Sequence, residues 1–277
     1  MSQVIYPNKD TVVCISLASK PGNFGMMVHN AAYRALSLNF LYKAFSTDDL
    51  PAALAGVRAL GIRGCSVSMP FKETAAGLVD ELDAAATSIG AINTIVNHQG
   101  RLYGYNTDAY GAQQVLARLD LPRDGRLLIL GAGGVARAIL WAVRSLGYKN
   151  IVVTNRSTER LHRWPSSPGW SILPWEERNN YPADLIINAT PVGMVPDVDE
   201  MPIGDDAIQR SRAVMDVVVT PMETRLIRTA RLLGRAVVCG YEMSLQQAAR
   251  QFELYTGKAA PLQNMEESLR QLLRNGA

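Results

Sequence analysis

The residues best suited to chemistry cluster in the middle of the chain, in the run Gly131-Ala132-Gly133-Gly134-Val135-Ala136. Apolar Leu127–Leu130 leads into it and a helix-like stretch leads out. A second β-rich run, Ile151–Thr154, then ends in Asn155-Arg156-Ser157-Thr158-Glu159-Arg160. Strand, glycine turn, helix and strand make the first half of a dinucleotide-binding fold. Gly131 suits the tight turn, Gly133 lets the backbone approach a pyrophosphate, and small Ala136 lets helix and strand pack closely. The pyrophosphate would rest on free N–H groups at the helix start. At the end of the second strand an acidic residue would suit the ribose 2′-hydroxyl of NAD. Asn155 stands there instead, with Arg156 and Arg160 following, and two guanidiniums favour a 2′-phosphate, hence NADP.

Four further polar residues look out of place, although Lys72, Asp108 and Gln247 each also have a plain structural reading. Lys72 follows Ser66-Val67-Ser68-Met69-Pro70-Phe71, a strand with two alternate serines. It opens the next helix, where a cation opposes the macrodipole. Asp108 closes Tyr105-Asn106-Thr107-Asp108, and as a purely structural residue it would serve as a helix N-cap. Asn93 follows apolar Ile92, where an amide needs a partner or a ligand. Gln247 is polar in a helix otherwise built for packing, and simple exposure would also explain it. Together they offer one ammonium, one carboxylate and neutral hydrogen-bonding groups, a set suited to a neutral polyol carrying a carboxylate, with no metal.

Around these residues the chain alternates strands and helices. Strands are expected at Thr11–Ser16, Phe40–Phe45, Cys65–Met69, Leu185–Asn188, Ala213–Val219 and Ala236–Cys239. A hairpin is expected from Thr94–Asn97 and Leu102–Tyr105 about Gln99-Gly100. Helices are expected at Met26–Ser37, Leu50–Leu60, Glu73–Val79, Asp108–Leu119 and Leu226–Leu233, and from Ser244 onward with a break at Thr256-Gly257. In Leu50–Leu60, Leu54, Val57 and Leu60 recur at helical spacing between an Asp49 cap and a Gly61 stop. The turn-rich Leu121–Gly125 leads into the glycine unit.

At 277 residues, 48% apolar and 19% charged, the chain has the composition of an ordinary globular protein. A net charge of +3 with no Lys/Arg run does not point to nucleic acid. Polar Met1–Asp10 lacks the pattern of a signal peptide, and no apolar stretch approaches a membrane span, so a cytoplasmic location is expected. The three cysteines, Cys14, Cys65 and Cys239, each lie in a β-like apolar run. Their odd count and unpaired spacing point to buried thiols, not to a disulfide framework or a zinc site.

The chain resembles the shikimate dehydrogenases over nearly its full length. The resemblance is carried by Ser66–Lys72 (like that family's Asn-x-Thr-x-Pro-x-Lys), Ala91–Thr94, Asn106–Asp108, Gly131–Ala136 with Asn155–Arg160, Asn188–Met194, and Gly240 through Gln247 to Gly257. It implies an α/β fold with an N-terminal substrate domain and a Rossmann NADP-binding domain, the active site between them. The C-terminal helices would close back on the substrate domain. Residues 1–110 with 241–277 would form the first domain and 111–240 the second. Lys72 would be the catalytic lysine and Asp108 its carboxylate partner on the hydroxyl that is oxidised. Asn93 and Gln247 would bind the ring hydroxyls. Gly131, Ala132, Gly133, Gly134 and Val135 would hold the pyrophosphate, and Asn155, Arg156, Ser157 and Arg160 the 2′-phosphate. Asn188, Ala189, Thr190, Val217 and Gly240 would lie along the ribose and nicotinamide.

The chain also departs from the family. Counted back from His29-Asn30, the family's Ser-x-Ser-Pro, whose serines hold the substrate carboxylate, is here Asn23-Phe24-Gly25-Met26. The Asn-x-Thr pair is Ser66 and Ser68, and the tyrosine of Asp-x-x-Tyr-x-Pro is Val219. Asn23, Ser19 or Ser16 could replace the lost donors, a pattern similar to the divergent shikimate dehydrogenase-like branch. The resemblance implies NADP-dependent interconversion of shikimate and 3-dehydroshikimate, a step of chorismate and aromatic amino acid biosynthesis, by a monomer or homodimer. Quinate or an amino-shikimate is the rival substrate, and a non-catalytic NADP-binding regulator the rival class.

Overall fold

The computed structural model describes residues 7–164 and 169–274, apart from the Leu273 side chain. The segment Met1–Tyr6, which carries most of the polar N-terminal stretch, lies outside that range. The chain forms two compact units: one runs to Thr107 and resumes at Leu245, and the other is Asp108–Ser244.

The first unit holds β1 (Val12–Ala18), α1 (Phe24–Ala35), β2 (Phe40–Ser46), α2 (Leu50–Ala59), β3 (Gly64–Val67), α3 (Lys72–Ala76), β4 (Glu81–Leu82), α4 (Ala84–Ile89), β5 (Thr94–His98) and β6 (Arg101–Tyr105). At its edge begins α5 (Thr107–Leu116). Its sheet runs β2-β1-β3-β5-β6-β4. The strands β2, β1 and β3 are parallel, β5 and β6 form the expected antiparallel hairpin, and β4 lies parallel to β6. The α2 cap is as expected: the Asp49 carboxylate accepts the Ala52 N–H at 3.0 Å, and Leu54 and Val57 face the core.

The second unit holds β7 (Arg126–Leu130), α6 (Gly134–Ser145), β8 (Asn150–Thr154), α7 (Glu159–His162), β9 (Ser171–Ile172), β10 (Leu185–Asn188), α8 (Asp205–Arg210), β11 (Ala213–Asp216), α9 (Arg225–Leu232) and β12 (Ala236–Val238). All strand pairs in its sheet, β12-β11-β10-β7-β8-β9, are parallel. Strands covered on both faces need apolar side chains throughout, which is why Leu127–Leu130 and Leu185–Ile187 read as unbroken apolar runs. Ala136, Ile139, Ala142 and Val143 of α6 pack on them. The order reverses between β7 and β10, the doubly wound pattern whose ligand crevice opens at the carboxyl ends of those two strands.

After β12 the chain enters α10 (Gly240–Thr256) and then α11 (Leu262–Arg274). The second helix lies against α1, with Ser268 Oγ donating to the Met27 carbonyl at 3.1 Å. The C-terminal helix thus closes back on the first unit.

Several boundaries differ from the sequence reading. β3 stops at Val67, so Ser68 lies beyond the strand and is exposed. Helix α3 is short, starting at Lys72 and ending at Ala76. β11 stops at Asp216 because its carboxylate accepts the Val218 N–H at 3.0 Å, an Asx-type bend that turns the chain. Helix α5 starts at Thr107, which places Asp108 inside the first turn and not at the cap. Cys239 falls just past β12, and all three thiols are free and buried. No helix is long and apolar enough to cross a membrane among the described residues.

Candidate active site

The candidate residues of the first unit centre on Asn93, which sits between α4 and β5 and is almost wholly buried. Its Oδ1 accepts from the Thr107 backbone N–H at 2.8 Å and lies within reach of the Thr94 and Thr107 hydroxyls at 2.9 and 3.0 Å. Its Nδ2 donates to Gln247 Oε1 at 3.3 Å. Gln247 is therefore not a simple exposed polar residue; it is half-buried and tied to Asn93, with Thr107 Oγ1 also 3.3 Å from its oxygen. One turn further along α10, Gln251 donates from Nε2 to Thr94 Oγ1 at 3.0 Å, while its oxygen lies 3.3 Å from His29 Nε2. Thr94, Thr107 and Gln251 were not singled out in the sequence. The i, i+4 spacing of Gln247 and Gln251 on one helix face was the available signal.

His29 is fully buried and stacks on Tyr42 at 4.5 Å. Burial pushes its pKa down to about 4. The Tyr42 hydroxyl lies 2.6 Å from Ser66 Oγ and also bonds the Ser16 side chain. Ser16 and Ser66 stand opposite each other in the β1–β3 register. The structure thus brings Ser16 and Ser66 together about a tyrosine that the sequence reading did not include. A Cβ on Gly25 would lie 2.9 Å from the Tyr42 ring, so the aromatic side chain fills the space that a larger residue there would take. Ser19, Asn23 and Ser68 are exposed and do not join this group. Asn23 stands at the N-cap of α1 without a side-chain cap bond, and the Ser19 carbonyl accepts from Ser46 Oγ at 2.7 Å. Lys72 is the half-buried first residue of α3.

In the second unit Asp108 is buried in the first turn of α5. Gly131 ends β7 with φ +121°, and a Cβ on it would lie 2.7 Å from the Ala189 carbonyl oxygen, so only glycine fits this turn. Gly133 opens α6 with no side-chain cap and with open space where a Cβ would sit. Ala132, Gly134 and Val135 flank it, partly exposed. These features fit a pyrophosphate: a bare backbone approach beside uncapped helix N–H groups. Arg156 and Arg160 are exposed and form no ion pair among the described residues, while Asn155 Nδ2 donates to the Ser157 carbonyl at 2.9 Å. Ser157 Oγ donates to Glu159 at 2.7 Å, so its hydroxyl is already engaged.

A second polar hub joins the ends of β10 and β11. Asp216 is fully buried and accepts from Asn188 Nδ2 at 3.0 Å, from Thr224 Oγ1 at 2.6 Å and from the Val218 N–H. Burial pushes its pKa up to about 6 against these donors. Asn188 Oδ1 in turn accepts from the Thr190 hydroxyl at 2.6 Å and its N–H at 3.1 Å. Gly240 lies against the same bend, where a Cβ would meet the Val218 carbonyl oxygen at 2.2 Å. Asn188, Ala189, Thr190, Val217 and Gly240 are therefore held in one region. Asp216 holds them together, although only its place in a motif marked it in the sequence. Among the described residues no group of three or more His, Cys, Asp or Glu could hold a metal.

Residues 24–95 match the substrate binding domain of shikimate dehydrogenase, and residues 240–270 match the shikimate 5′-dehydrogenase C-terminal domain. A shikimate dehydrogenase-like protein of Haemophilus influenzae is 39% identical over 251 residues, 90% of this chain and 92% of its own. The shikimate dehydrogenase (NADP(+)) of Moorella thermoacetica is 38% identical over 89% of this chain and 88% of its own. The crystal structure of the Thermus thermophilus shikimate 5-dehydrogenase in complex with NADP(H) and shikimate superposes with a TM-score of 0.85 at 33% identity, covering 94% of this chain and 99% of that one. With relatives this similar over almost their whole length, the chain belongs to the shikimate dehydrogenase family.

Proposed function

We propose that the protein is an NADP-dependent oxidoreductase that interconverts shikimate and 3-dehydroshikimate by hydride transfer at a ring hydroxyl. One observation carries this reading: relatives named as NADP(+) shikimate dehydrogenases match across nearly nine-tenths of both chains. The first unit is then the substrate domain and the second the dinucleotide domain. The enzyme works in the cytoplasm on a small carboxylated cyclitol, not on nucleic acid or a membrane, as a monomer or homodimer.

NADP, when bound, supplies the hydride acceptor. Gly131, Ala132, Gly133, Gly134 and Val135 hold its pyrophosphate; Asn155, Arg156, Ser157 and Arg160 hold its 2′-phosphate; and Asn188, Ala189, Thr190, Val217 and Gly240 line its ribose and nicotinamide. Two exposed guanidiniums without a competing ion pair favour the doubly charged 2′-phosphate over a neutral hydroxyl. Lys72 and Asp108 act on the hydroxyl that is oxidised. As hydride leaves carbon, the oxygen loses its proton, and a base or an electrostatic stabiliser must meet the charge that develops. Lys72 does one of these: it takes the proton, or it stays charged while Asp108 or water takes it. Asn93 and Gln247 hold the ring hydroxyls. The Ser16 and Ser66 pair takes the carboxylate, and exposed Asn23, Ser19 and Ser68 are the remaining candidate donors for it.

A steady-state panel of shikimate, quinate and an amino-shikimate against NADP and NAD, followed at the NADPH absorbance band, tests this. Shikimate with NADP is expected to have the largest kcat/KM. Binding of NADP(H) without turnover of any cyclitol acid would favour the regulator instead.

A further inference from the structure

The hydrogen bonds around Asn93 fix which end of each amide is which. The Thr107 backbone N–H can only donate, and it lies 2.8 Å from one end of the Asn93 amide, so that end is the carbonyl oxygen. The nitrogen therefore faces Gln247 and must donate, which makes the facing Gln247 atom its oxygen. The Gln247 nitrogen is then left without a partner among the described residues. The rest of Asn93 is fully used. Its N–H donates to the Tyr105 carbonyl at 3.1 Å, and its own carbonyl accepts from the Val67 N–H at 2.9 Å and from Gln251 Nε2 at 3.4 Å. Its Oδ1 is crowded with donors, the Thr94 hydroxyl held in place by Gln251. Only one hydrogen of Nδ2 is uncommitted.

Resting on the functional reading above, we propose that Thr94, Thr107 and Gln251 are positioning residues. They lock the amides of Asn93 and Gln247 with both NH2 ends toward the bound ring, so this part of the site reads hydrogen-bond acceptors. A ring hydroxyl satisfies it by accepting from both amides. An ammonium in the same place can only donate and meets two donors, so a cyclitol acid with an amine at that position is rejected. The lock is a relay: reversing the Asn93 end reverses Gln247 as well. In Asn93→Asp one carboxylate oxygen keeps the Thr107 N–H and the other faces Gln247, which must turn its nitrogen inward and present its oxygen to the ligand.

The full-length protein is assayed with NADP and either shikimate or an amino-shikimate. Wild type is expected to prefer the hydroxyl acid by about 100-fold in kcat/KM, because an ammonium would set its own donors against both amide NH2 groups. Thr94→Val keeps the shape of the strand residue but removes one donor. It is expected to raise the cyclitol KM about 5-fold, with kcat and the NADP KM unchanged, and Thr94→Ser should restore it. Asn93→Asp should cut the preference for hydroxyl over amine at least about 10-fold. A Thr94→Val cyclitol KM within two-fold of wild type, a parallel fall in kcat and rise in both KM values, or an unchanged preference in Asn93→Asp would overturn the lock. If wild type turns over no cyclitol acid, it is the functional reading that fails. The lock is then decided by the side-chain amide NMR signals of the ligand-free protein. Thr94→Val and Asn93→Asp should both move those of Gln247, and unmoved Gln247 signals would sink it.

Discussion

Each unit of the molecule is organised by one buried polar hub, and the two hubs are built from opposite materials. In the first unit Asn93, Thr94, Thr107, Gln247 and Gln251 are all neutral, and a backbone N–H sets the polarity of the whole chain of bonds. In the second unit a carboxylate, Asp216, collects donors from Asn188, Thr224 and the Val218 N–H. A neutral hub keeps its pattern over a wide pH range, which suits recognition of uncharged hydroxyls. A charged hub binds its donors more strongly but carries a desolvation cost, seen in the raised pKa of Asp216. The segment Asn155–Arg160 differs from both: its arginines are exposed and unpaired among the described residues, so it attracts charge without a rigid frame.

The largest effect is expected outside both hubs. Lys72→Ala should lower kcat roughly 1,000-fold while NADPH still binds, measured by steady-state rates and NADPH fluorescence. Near-normal turnover would remove Lys72 from the chemistry. Next, Arg156→Ala with Arg160→Ala should raise the NADP KM about 100-fold, leave the cyclitol KM alone and erase the preference over NAD. An unchanged NADP to NAD ratio would mean the exposed segment does not read the 2′-phosphate.

Removing the charged hub tests stability directly. Asp216→Ala leaves several buried donors without an acceptor and should cost about 3 kcal/mol in chemical denaturation. Asp216→Asn, which keeps one acceptor oxygen, should cost less. Equal losses would mean that the carboxylate charge, not its shape or a single acceptor oxygen, holds the bend.

The smallest effects are pH slopes of opposite sign. The folded pKa of His29 lies near 4, below the ordinary 6.5, so its contribution is present above pH 6.5 and is lost as pH falls through 4. Its surroundings (Tyr33, Tyr42, Tyr255 and Gln251) are neutral and offer no relief to an imidazolium. Asp216 has a folded pKa near 6, above the ordinary 3.8, so the stability it contributes is present below pH 3.8 and lost as pH rises through 6. Each amounts to roughly 3 kcal/mol at full extent. Denaturant titrations between pH 4 and 7 should show a flatter acid loss in His29→Asn and a steeper one in Asp216→Asn. A change from the wild-type slope in the same direction in both variants would contradict the assignment.

How far the sequence could be read follows from the same physics. Long regular patterns were legible: the apolar run into Gly131, the Asp49 cap and the Leu54/Val57 face of α2, and the hairpin about Gly100 all recur in the structure. Two-residue strands such as β4 and β9 contain no full period and left no trace. Helix α4 was missed although its signals were present: Asp83 caps it through the Ala86 N–H and Gly90 ends it at φ +71°. Single residues of unusual type, such as Lys72 and Asn93, could be picked out, but their partners could not. Tyr42, Thr107 and Gln251 look like ordinary core or cap residues until the fold brings distant segments together, as with the 154-residue gap between Asn93 and Gln247.

The most direct measurement is the initial rate of NADP reduction by the wild-type protein with shikimate as the only reductant, run beside an identical mixture containing NAD. Turnover with NADP, at least tenfold more efficient than with NAD, is the expected result. NADP that binds while no shikimate-dependent absorbance develops would contradict the assignment of this chain as a dehydrogenase.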